Sequence, residues 1–148
     1  MQETAIAAAG PASGPSVWKG GDFSTDRSWM RELTGAQAAA LVDATRRWEG
    51  RDFRSLQRVE AQAALAALIP TAEAARADLA SRGFVVLRGL PVQDMTPAEI
   101  QRAYWAVGLL FGEGLTQNAS ADFLCPVTDM GVDFGYSGSA SQLNVRGY

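Results

Sequence analysis

Apolar residues recur every three to four positions over several stretches of the chain, then crowd into one short block, and this change of period sets the predicted elements. Ala38, Leu41, Val42, Thr45 and Trp48 fall on one face of a helix. Thr34 and Gln37 have the spacing of a capping box at its start: the hydroxyl accepts from the third helical amide, and the Gln side chain returns to the cap residue. After a break at Gly50 to Phe53, a second helical stretch is predicted through Glu60 to Leu68. Pro70 suits the first turn of a third helix, whose apolar face includes Ala72, Ala75 and Leu79 and whose end is set by Gly83.

The period then shortens. Phe84, Val85, Val86 and Leu87 form a continuous apolar run bounded by Gly83 and Gly89, the pattern of a strand buried on both faces. Thr96, Pro97 and Glu99 repeat the capping signal, with Met95 and Ile100 spaced as a hydrophobic staple. This helix is predicted to run through Tyr104, Trp105 and Leu109 and to end near Gly112. Extended segments are expected at Leu115 to Asn118 and Phe123 to Thr128, with Pro126 placing the second at an edge or bulge. From Met130 onward, Gly and Ser predict a loop.

Met1 to Gly14 is small and Ala-rich and lacks a basic n-region and a long apolar core, so it reads as a disordered leader, not a secretory signal. Val17, Trp18, Phe23 and Trp29 supply apolar anchors for an irregular segment after it. Residues 15–148 are expected to form one domain or part of one. Helices first, then a strand, a helix and further strands, without regular alternation, predict an α+β fold over a doubly wound sheet.

The chain has 148 residues, of which 47% are hydrophobic, enough for a modest core. A net charge of −3 with dispersed Lys and Arg gives no footprint for nucleic acid or anionic lipid. No run of apolar residues is long enough to span a bilayer. Cys125 is alone, so no intramolecular disulfide can form, and the default compartment is cytoplasmic. The chain holds no His, which removes any Cys/His nucleophilic pair within it; Cys125 is expected to be structural and half-buried.

Other candidate chemistry is thin. Gly112 and Gly114 follow a helix instead of a strand, and Gln117 stands where a dinucleotide fingerprint needs a third Gly. Asn118 to Ser120 matches a glycosylation sequon but has no secretory context. Asp129 and Asp133 suit solvated turns better than a cation loop. Tyr104, Trp105 and Phe111 are expected in the core. Gln117 and Asn118, adjacent amides at a predicted strand end, read either as hydrogen-bonding groups at a pocket mouth or as turn residues satisfying their own backbone.

Four segments resemble, in order, the front part of the TauD/TfdA superfamily of oxygenases: PSVWKGGDFSTDRSWMRELT (Pro15 to Thr34), RGFVVLRGLPV (Arg82 to Val92), YWAVGLLFGEGLTQNASADFLCPVTDMG (Tyr104 to Gly131) and NVRGY (Asn144 to Tyr148). The resemblance implies the helical part and first strands of a double-stranded β-helix, a jelly-roll-like body, and hydroxylation of a small organic substrate with Fe(II) and 2-oxoglutarate. In that family the iron is held by a His-x-Asp/Glu pair and a later His, and an Arg near the carboxyl end pairs with 2-oxoglutarate; the open positions on the metal take the co-substrate and O₂. Here the family pattern stops at Tyr148 and both imidazoles are missing. The expectation is therefore a fragment, inactive alone, that contributes scaffold and one pocket wall through Gln117, Asn118 and Tyr148. A non-catalytic module acting through a protein partner is the alternative.

Overall fold

A computed structural model describes residues 11–125. Helix α1 (Gly35–Arg47) starts at Thr34, whose hydroxyl accepts from the Gln37 amide at 3.2 Å while Gln37 Oε1 accepts from Thr34 N at 2.9 Å. The Gln37 Nε2 group also donates to Ala67 O and Thr71 Oγ1, so the cap doubles as a tie to a later part of the chain. Helix α2 (Arg58–Ala64) gives way to a 3₁₀ turn at Ala66–Leu68 and then to α3 (Ile69–Arg82), with Pro70 in its first turn. Gly83 ends α3 with φ of 92°, a left-handed conformation that a side chain would strain. Helix α4 (Pro97–Phe111) starts at Thr96, which exchanges hydrogen bonds with Glu99 as the spacing predicts.

Helix α4 is the central element, packing against α1, α2 and α3. Ala103, Ala106, Leu109 and Leu110 on α4 meet Leu41 and Ala44 of α1, Leu56, Leu65 and Ala72 in one hydrophobic core. Small residues on these faces let the helices approach closely, and Leu41, Leu56 and Leu65 are essentially inaccessible to solvent. Arg76 of α3 donates to the Leu110 carbonyl near the carboxyl end of α4, where a cation also suits the helix dipole.

The extended structure is small. Strands β1 (Met30–Glu32) and β2 (Val86–Arg88) form a parallel pair in the register Met30 with Val86, Arg31 with Leu87 and Glu32 with Arg88. Arg31 on β1 makes a bidentate pair with Asp78 of α3, at 2.7 and 3.0 Å. That guanidinium lowers the carboxyl pKa of Asp78, chiefly through the side-chain hydrogen bonds. Ahead of β1, Trp18, Phe23 and Trp29 gather around Phe84, the first two edge-on to it and Trp29 tilted, with ring centroids in the cluster 4.9–6.3 Å apart, and the Arg82 guanidinium lies over Phe23 and Phe84. The irregular front segment is thereby pinned to the end of α3, with Trp18 Nε1 donating to Arg82 O.

Several expectations are corrected. The described chain is mainly helical with a single two-stranded parallel sheet, not an α+β arrangement entering a double-stranded β-helix. Leu115 to Asn118 is not a strand, because its backbone turns back through Asn118; Phe123 to Cys125 carries no strand either, and 126–128 lie outside the described residues. The apolar run Phe84–Leu87 is only partly strand and is not buried on both faces: Phe84 belongs to the aromatic cluster, and Val86 is 39% exposed on the outer side of a two-stranded sheet. Leu79 and Tyr104 point outward on their helices and are exposed. Cys125 is exposed, not half-buried. Of the expected leader, residues 11–14 are exposed, and the rest lies outside the described residues. No described helix is long and apolar enough to cross a membrane.

Candidate functional site

Two neighbouring features could take part in recognition. One is the loop Gly112–Cys125 after α4, which contains two of the residues singled out from the sequence. The other is an open cleft between the Glu49–Phe53 turn and the first turns of α4.

In the loop, Asn118 is a structural hub. Its Oδ1 accepts from Ser120 N and Asp122 N, both at 3.0 Å, and its Nδ2 donates to Asp122 Oδ2 at 2.9 Å and to Cys125 Sγ at 3.4 Å. The side chain thus spends its acceptor and both donors on the turn, which is the local satisfaction named as one of the two sequence readings. Gln117 is exposed; its amide N donates to Asp122 O at 2.7 Å and its Nε2 to Leu115 O at 2.9 Å. The two amides are brought together but are used mainly on their own loop. Tyr148, Asp129 and Asp133 lie outside the described residues.

The loop is seated on an aromatic stack. Trp105 of α4 meets Phe53 at 5.4 Å and Phe123 at 5.3 Å between ring centroids, both near edge-on. Gly114 passes directly over the indole, so close that a Cβ there would lie 2.2 Å from Trp105 Cη2. Phe53 also lines the cleft, and this ring joins the two features.

The cleft has a volume of about 540 Å³, within the range of small-molecule sites. Its walls include Arg51, Asp52, Thr96, Gln101 and Arg102. Two of its four lining charges, Asp52 and Arg51, are held in ion pairs. Asp52 accepts from Arg54 through both carboxylate oxygens and from the Arg54 amide, which lowers its pKa to about 2. Arg51 makes two hydrogen bonds to Glu60, at 2.8 and 3.2 Å, and this guanidinium, followed by the Gln57 amide, lowers the Glu60 pKa to about 2. Glu99 is held below its ordinary value mainly by the Thr96 amide and hydroxyl, with Arg46 3.8 Å away. Arg102 is different: it is buried, only 7% exposed, and its one hydrogen bond to a described residue runs from Nε to Thr45 O at 3.2 Å. Sequence reasoning missed it. The signal was its register, since Arg102 precedes Ala106 by four residues and Leu109 by seven and so shares their inward face.

Among the described residues there is no cluster of three or more His, Cys, Asp or Glu able to hold a metal, and the whole chain has no His. The donor set of this chain therefore does not fit a His₂-carboxylate iron centre.

No protein-family profile matches the chain. It is similar to FR-33289 synthase of Streptomyces rubellomurinus, 26% identical over 146 residues. That alignment takes in 93% of this chain but 40% of the relative, so the chain spans about two fifths of the length of the curated protein it matches.

Proposed function

We propose that this chain is the amino-terminal part of a non-haem Fe(II)/2-oxoglutarate-dependent oxygenase of the TauD/TfdA type, acting on a small organic substrate. The ordered resemblance of four segments between Pro15 and Tyr148 carries the reading. The similarity to a longer synthase is compatible with it, because it runs along nearly all of this chain and only part of that protein. The iron and 2-oxoglutarate belong to the parent protein in this reading; no step of the oxidation is assigned to residues of this chain. Its part is mechanical: α4 and the Asn118-organised loop set a shaped surface over the Phe53–Trp105–Phe123 stack, against which a substrate pocket would be built.

The test has two arms. The coding sequence after Tyr148 is expected to contain a His-x-Asp or His-x-Glu soon after that point, and the longer product to release succinate when given Fe(II), 2-oxoglutarate and O₂. The 148-residue chain alone is expected to do neither; tight Fe(II) uptake coupled to succinate release by it would refute the proposal.

A binding module without redox chemistry is the second reading, and the hydrophobic core that the described helices form around Leu41, Leu56 and Leu65 favours it. It requires the isolated chain to be monodisperse by size-exclusion chromatography and to engage a defined protein partner.

A further inference from the structure

We propose that the cleft between the Glu49–Phe53 turn and α4 binds a small oxyanion, with Arg102 as its principal contact. A guanidinium carries five N–H donors. Arg102 uses Nε on the Thr45 carbonyl, and its Nη groups have no hydrogen-bond or ion-pair partner among the described residues. The residue lines the cleft.

The acidic groups nearby make no hydrogen bond to Arg102. Asp52 is bound by Arg54 and Glu60 by Arg51, while Glu99 is bonded to its own cap with Arg46 beside it and feels the Arg102 charge only through space. Glu49 is exposed on the cleft wall and takes part in no ion pair among the described residues. Glu99 balances part of the Arg102 charge through space but leaves the Nη donors unbonded, and the donors of a mostly buried side chain normally find acceptors. An entering carboxylate or phosphate would supply two parallel acceptors for the planar fork, the geometry in which Arg binds such groups best. Gln101 on the next position of the wall has an amide free of bonds to described residues and offers a further donor. The ligand class is thus a small molecule bearing a carboxylate or phosphate, and it depends on no iron and no oxygenase activity.

Isothermal titration of the 148-residue chain at low ionic strength, with sodium acetate and with inorganic phosphate in separate runs, tests this. Saturable binding of at least one is expected, and the tighter of the two names the anion type. Because Arg102 also ties α4 to α1, Arg102→Gln is paired with two changes on the exposed wall. Arg102→Gln and Ala98→Glu are each expected to weaken binding by about tenfold or more, and Glu49→Gln to tighten it by about two- to threefold. Absence of saturation at millimolar anion in the unmodified chain overturns the proposal. So does binding that is unchanged in Ala98→Glu, or unchanged in an Arg102→Gln variant that keeps its helical circular dichroism.

Discussion

Replacing Gly114 with Ala tests the seating of the candidate loop most directly. Gly114 has no need of a left-handed backbone, so its requirement is space alone. A Cβ at this position would stand 2.2 Å from Cη2, 2.6 Å from Cζ3 and 3.3 Å from Cζ2 of Trp105. Carbon atoms prefer about 3.5–4.0 Å, so the closest pair falls short by more than about 1 Å. The indole cannot simply step aside, because Phe53 and Phe123 flank it, and its Nε1 is already enclosed without a partner among the described residues. Overpacking of this kind costs about 1–3 kcal/mol. The lost backbone freedom of the unfolded chain offsets about 0.4–1 kcal/mol of that. Net destabilisation of about 1–2 kcal/mol is expected, measured by urea unfolding followed by far-ultraviolet circular dichroism. In a Trp105→Leu background the same Gly114→Ala change should cost under about 0.5 kcal/mol, the difference being the coupling between the two sites. A neutral or stabilising Gly114→Ala, or an equal cost in both backgrounds, would refute the claim that the indole dictates Gly here.

Asn118→Ala removes an acceptor used by two exposed backbone amides and is expected to destabilise by about 0.5–1.5 kcal/mol and to speed hydrogen exchange at Ser120 and Asp122. Gln117→Ala should stay within about 0.5 kcal/mol, and both variants can be ranked by their thermal midpoints. Thr96→Ala at the start of α4 should cost about 1 kcal/mol in the same unfolding assay. Asp52 and Glu60 titrate near 2 in the folded chain against ordinary values of 3.8 and 4.5. Their ionised forms are the ones the fold favours, so the stability they add is full above about pH 5, declines as the unfolded groups protonate and is gone once pH falls through about 2. Unfolding midpoints measured from pH 6 to pH 2 should fall in that window, with the fall reduced in Asp52→Asn and Glu60→Gln.

The helices were legible in the sequence because their signals are local. Thr34 with Gln37 and Thr96 with Glu99 need only three residues of context, and each pair closes its box in the structure. The sheet was not, because pairing Met30 with Val86 depends on partners far apart in the chain and strands of three residues leave almost no periodic trace. An apolar run such as Phe84–Leu87 announces burial but not what does the burying, and here an aromatic cluster takes Phe84 while solvent reaches Val86. The β-helix expectation came from the family resemblance, and the described residues show mostly helix with one two-stranded parallel sheet instead. At the candidate site, Asn118 was singled out for its chemistry, yet an amide serves a turn as readily as a ligand, and only geometry separates the two. Arg102 carried a readable signal in its register, overlooked because charged residues are presumed to face water.

The front of the chain is fastened to the helical body by the β1–β2 pair, the Arg31–Asp78 bridge, the ring cluster closed by Trp18 and the hydrogen bonds of Arg82 with Trp18 and Ser28. Apart from Leu33 at the arm's end, the interior that joins α1 to α4 is built from residues after this arm. The arm therefore lies outside the helical interior, and what it adds is cover for residues that the helices leave uncovered. Phe84 and Leu87 are the residues so covered, one by the rings of Trp18, Phe23 and Trp29 and the other by pairing with Arg31, which makes a short irregular stretch the roof of the apolar run that follows α3.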